Sequence, residues 1–142
     1  MISISEMEQI ILILVLFICA VMDIRKKMIY LPFIIFSSLI IVFMQIAAKE
    51  LDLASVMAAV IVMLIVCGIS VISRGQLGLG DGLLLGMTGL GLGVSDNLCM
   101  LLYCFMGVFF VAMLWVLIFH GKKESRIPLA PFVLAASILV IV

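Results

Sequence analysis

Long apolar runs follow one another through nearly all of this 142-residue chain, broken only by short polar stretches. About 20 consecutive apolar residues are what a helix needs to cross a bilayer core roughly 30 Å thick. Lipid offers no partner to backbone N–H and C=O groups, so a segment that satisfies them all internally must be helical. Composition agrees: 68% of residues are hydrophobic, 11% are charged and the mean hydropathy is +1.55. Soluble domains run near about 45–50% apolar and about 25% charged. The chain therefore reads as an all-α polytopic membrane protein with about six transmembrane helices. No repeat or low-complexity linker divides it, so residues 1–142 form a single membrane-embedded domain.

Five spans are plain: Ile4–Met22, with Glu6 and Glu8 near or outside its interfacial end, Met28–Ala48, Leu53–Ile72, Leu98–Phe119 and Ile127–Val142. The fourth is different. Gly82–Val94 supplies 13 residues, about 20 Å of helix, and extending it backwards brings Asp81 into the run. It is expected to be short or partly unwound and shielded by protein. Pro32, Pro128 and Pro131 are expected in the first turns of their helices, where a missing N–H costs little. The first residues carry acids, no base and no cleavage pattern, so the first run reads as a retained span.

Charge sets the expected orientation. With six spans, Arg25, Lys26, Lys27, Arg74, Lys122, Lys123 and Arg126 share one side, and of the eight bases only Lys49 falls opposite. The positive-inside rule puts the seven in the cytoplasm and both termini outside it. Without the fourth segment, the last three bases would change sides. A net charge of zero gives no signal for nucleic-acid binding.

Most other candidates have simple readings. Cys19, Cys67, Cys99 and Cys104 lie in or beside apolar runs without a CxxC pair and read as small buried hydrophobes. His120 lacks a second histidine or an acidic cluster and reads as interfacial, not as a metal ligand. Arg126 is explained by positive-inside placement, although contact with a substrate or lipid headgroup is open to it. Tyr30, Tyr103 and Trp115 read as packing or interfacial side chains.

Two aspartates stand apart. Asp23 ends the first span in VMDIRKKMIYLP, and Asp81 begins the fourth in SRGQLGLGDGLLLG. Both fall on the same membrane face, where an ionisable group is costly unless hydrated or functional. Taken singly, Asp23 could offset its basic neighbours and Asp81 could stabilise a helix N-terminus. Together they could share a proton and work as an acid–base pair on a peptide bond. Gly78 and Gly80 would support such a site by permitting unusual backbone angles and close approach of a peptide. The glycines from Gly82 to Gly93 continue as a small-residue surface suited to tight helix packing.

These residues resemble the type IV prepilin peptidase family of GxGD membrane aspartyl proteases. The likeness rests on Asp23 followed by bases and Pro32, on Gly78-Leu79-Gly80-Asp81, and on RIPLAPFVLAA at Arg126–Ala136. It extends over nearly all the chain. It implies an aspartic endopeptidase with Asp23 and Asp81 as catalytic dyad and no metal or organic cofactor. The implied substrate is a pilin-like or Flp-type precursor with a short basic leader, a glycine before the cut and a hydrophobic helix after it. Cleavage would occur at the cytoplasmic face of the inner membrane. The chain resembles the short, peptidase-only members of tight-adherence pilus systems, without the cysteine-containing methylating domain of larger relatives. Where many relatives carry a lysine soon after GxGD, it reads Gly82-Leu83-Leu84-Leu85. Other classes compatible with the residues are a small ion- or proton-coupled transporter and a non-catalytic membrane assembly subunit.

Overall fold

The computed structural model describes residues 3–74, 78–119 and 127–142. Their regular structure consists of helices: α1 (Ile4–Lys26), α2 (Leu31–Ala48), α3 (Leu53–Ile72), α4 (Leu79–Leu92), α5 (Val94–Phe119) and α6 (Ala130–Ile141). The protein is an all-α polytopic membrane protein. Four helices, α1, α2, α3 and α5, are long and apolar enough to cross a bilayer. The 14-residue α4 and the 12-residue α6 fall short of that length. His120, Lys122, Lys123 and Arg126 lie outside the described residues.

Local chemistry explains the starts. Ser3 and Glu6 form a reciprocal capping box on α1, satisfying two amides that the first turn leaves without partners. Pro32 sits in the first turn of α2 and Pro131 in that of α6. Pro128 does not: α6 begins at Ala130, three residues later than the apolar run suggests. Pro128 lies outside the helix, and Leu129, at its N-cap, already has helical angles (φ −82°, ψ −37°). Asp52 caps α3. The Ser55 hydroxyl and the amides of Ala54 and Ser55 all donate to its carboxylate and hold it below the usual aspartate range.

The fourth segment is short, as expected, but it is a continuous helix and not an unwound one. It is also the centre of the packing, lying against α1, α2, α3, α5 and α6. Gly82, Gly86 and Gly89 repeat at helical spacing and turn one face to α3. A Cβ on Gly82 would lie 2.7 Å from the Cys67 sulfur, and one on Gly86 would lie 3.0 Å from the Met63 Cβ. The backbones approach because these side chains are missing, which gains dispersion contacts in a setting where lipid is as apolar as the core. Contact with five neighbouring helices also shelters much of a helix too short for the bilayer.

Two cavities mark the ends of the bundle. One is lined at the finish of α1 (Asp23), the start of α2 (Leu31), the finish of α3 (Ser70), the start of α4 (Leu79 to Asp81) and the approach to α6 (Leu129). The other is lined at the start of α1 (Ser5, Glu8), the finish of α2 (Gln45), the start of α3 (Ser55) and the finish of α4 (Leu90). Successive helices from α1 to α4 therefore run in alternate directions between the two ends.

At the second end, Glu8 lies near the start of α1 and is buried in the bundle. The Gln45 Nε2 donates to Glu8 Oε1 and to the Leu90 carbonyl, each at 2.6 Å, tying α1, α2 and α4 together. Burial of an acid requires such a partner. Gln45→Leu is expected to cost about 1–3 kcal/mol, because it strands the Glu8 carboxyl. The double replacement Glu8→Leu/Gln45→Leu should recover most of that loss. Thermal unfolding in detergent checks both, and a double variant no more stable than Gln45→Leu would rule out the pairing as the cause.

Candidate active site

Asp23 lies in the last turn of α1, whose helix continues to Lys26 before Lys27 turns the chain in a left-handed conformation (φ 50°). The carboxylate is buried, and its Oδ2 accepts a hydrogen bond of 3.1 Å from the Ala130 backbone N–H. Ala130 is the first residue of α6, where an amide has no partner within the helix. The two prolines flanking this start deliver that free amide to the end of α1.

Asp81 lies in the first turn of α4 and is half-buried. Its Oδ2 accepts the Gly78 N–H at 3.2 Å, closing the helix start as a carboxylate three residues in is suited to do. Gly78 itself has ordinary extended angles (φ −70°, ψ 141°), and Gly80 is helical. Neither uses the backbone freedom peculiar to glycine. Closeness is what Gly80 supplies: a Cβ there would lie 3.1 Å from the Ile29 Cβ, in the wall of the cavity. In α4's neighbourhood, left-handed geometry falls instead on Gly93 (φ 81°), just past the helix.

Asp23 and Asp81, remote in sequence, both line one cavity of about 380 Å³ with Gly78 and Gly80. Lys27 and Ser70 also line it, and Ile127, Pro128 and Leu129 wall it from the α6 side. The recess combines polar and apolar side chains at one end of the bundle. Among the described residues no three histidine, cysteine, aspartate or glutamate side chains gather in a way that could hold a metal ion.

A model of the type IV leader peptidase family matches residues 10–120. The chain belongs to that family. The matched stretch contains both aspartates, the glycine tract, most of α1 and all of α2 to α5. No curated protein and no solved structure matches the chain.

Several features of the cavity had weak or no sequence signals. Ser70 sits in an apolar run, and serines in α2 show how little that means: Ser37 and Ser38 simply donate to carbonyls one turn back. The Ala130 amide has no side-chain signature, although the paired prolines mark where free amides begin. Of the other residues considered, Cys19 and Cys104 are buried, but Cys67 is only half-buried and Cys99 is exposed on α5. The exposed Cys99 departs from the expected burial because a lipid-facing position accepts a small apolar side chain as readily as a core does. Tyr30 is exposed beneath the Lys26 ammonium, 5.8 Å from the ring centre, and Trp115 packs on Phe119 with ring centres 4.4 Å apart.

Proposed function

We propose that this protein is an aspartic endopeptidase that removes the short basic leader from a pilin-like or Flp-type precursor. One observation carries the reading: in a chain of the type IV leader peptidase family, Asp23 and Asp81 line the same cavity. In the proposed reaction one carboxylate is ionised and the other protonated. The ionised group takes a proton from water as its oxygen adds to the peptide carbonyl carbon. The protonated group donates a hydrogen bond to the carbonyl oxygen, where charge develops. Collapse of the tetrahedral intermediate breaks the C–N bond, and the proton passes to the leaving amine. The products are a leader with a new carboxylate and a mature chain with a new amino terminus. Asp23 and Asp81 are the proposed dyad, with Gly78 and Gly80 supporting it, and no cofactor enters a step.

The surrounding assignment is part of the same proposal. All six helices lie in the inner membrane as a single peptidase domain, with the cavity at the cytoplasmic face and both termini opposite. The excess of bases on the cavity side of the predicted topology supports that orientation. A basic leader then approaches the cavity from water while its apolar helix stays within the membrane.

The purified protein in liposomes, given a precursor with a basic leader, a glycine and an apolar helix, should release a product lighter by the mass of the leader. Precursor of unchanged mass after incubation with folded protein would sink the reading. Ion-dependent flux without cleavage would point to a transporter instead.

A further inference from the structure

The helices α2 and α3 are joined by only four residues, yet they do not pack on each other; α4 lies against both. The gap between them is an open apolar groove of about 200 Å³, floored by α4. Ile35 and Leu39 line it from α2, Val60 and Met63 from α3, and Leu83 and Leu90 from α4.

The groove begins one helical turn from the carboxylate cavity, along the same faces of α2 and α4. Leu31 lines the cavity and Ile35, one turn further along α2, lines the groove. On α4, Leu79 and Gly80 line the cavity and Leu83, one turn on, lines the groove. From Leu79 to Leu90 the path covers about 16 Å, three turns of helix. An occupant lying along it has its upper end at Asp23 and Asp81 and its apolar side chains against Leu39 and Val60, both exposed.

From this alignment we infer that the α2–α3 groove is the docking site for the apolar helix of a membrane-anchored substrate, a proposal that rests on the peptidase reading above. A peptide inside the bilayer must keep its backbone hydrogen bonds, so the bond to be cut has to lie at a helix end. A groove whose head lies one turn from the cavity of the two carboxylates meets that need. The helix stays folded in the groove, and only the residues before it extend into the cavity. Entry is lateral, from lipid, because among the described residues no helix closes the gap between α2 and α3.

The test uses a synthetic peptide with a basic leader, a glycine and about 20 apolar residues, reconstituted with the full chain in liposomes. The photoreactive residue p-benzoylphenylalanine replaces Leu39, Val60 or, as an exposed control on α5, Phe110. With Asp81→Asn in the background, Leu39 and Val60 probes should give roughly ten times the peptide adduct of the Phe110 probe, equivalent to about 1.4 kcal/mol of preference. Equal labelling at all three positions, adducts only with lipid, or adducts only with a second copy of the chain would overturn the proposal.

A second measurement compares the anchored peptide with one truncated after its first apolar turn. Leu39→Trp and Val60→Trp should lower kcat/KM for the anchored peptide roughly tenfold more than for the truncated one, mainly through KM. Equal loss on both would mean general damage and would count against docking. The two readings fail separately. Cleavage that survives Asp81→Asn refutes the dyad and leaves the adduct pattern standing, whereas uniform adducts with cleavage still dependent on Asp81 refute only the groove.

Discussion

Asp81→Asn and Asp23→Asn are each expected to reduce leader cleavage by about 100- to 10,000-fold, the usual worth of a positioned acid or base. Asparagine keeps the size of the side chain and an oxygen that can accept the Gly78 or Ala130 amide, so the helix starts should survive. What it cannot do is take up or give a proton. The double variant should be scarcely worse than either single one, because groups that act on one proton inventory fail together. Single-turnover cleavage of a reconstituted precursor, followed by mass, gives all three rates. Wild-type rates in either single variant would remove that aspartate from the chemistry. Losses that multiply in the double variant would show two independent roles.

The second large effect is on stability, and its sign depends on which glycine changes. Gly89→Ala should destabilise the protein. The new Cβ would lie 2.9 Å from the Ala59 Cβ and 3.1 Å from the Ala59 Cα. A backbone atom cannot swing aside, so α3 must shift as a body, and overpacking of this kind costs about 1–3 kcal/mol. The gain of about 1 kcal/mol in helix propensity does not offset the upper part of that range. Gly68→Ala in α3 should do the reverse. Nothing lies within 4 Å of its Cβ, so the propensity gain stands alone. Unfolding of the two variants in mixed detergent should bracket the parent, Gly89→Ala below and Gly68→Ala above. Equal shifts would mean that glycine content, and not the α3–α4 approach, governs stability.

Both predictions draw on features legible in the sequence to different degrees. The apolar runs give away the helices, because in lipid a backbone can satisfy itself in few other ways. Pro32 and Pro131 fall in the first turns of α2 and α6 as their missing N–H groups suggest, whereas Pro128 does not. The glycine tract announces close packing but not its partner. Asp23 and Asp81 stand out because charge is costly at a membrane edge.

Which face of each helix meets which neighbour is a different matter. In water, a polar stripe on a helix marks its solvent side, but here lipid is as apolar as the core, and the pattern that would reveal packing is largely erased. The sequence by itself determined an all-helical membrane protein, the starts of α1 and α3, and two acids and a glycine tract at candidate positions. Tertiary structure alone decided that α4 is the packed centre, that Ala130 rather than a neighbouring base meets Asp23, that Glu8 is buried against Gln45, and that α2 and α3 stand apart. Each of these depends on contacts between residues remote in the chain, and such contacts leave no local periodicity to read.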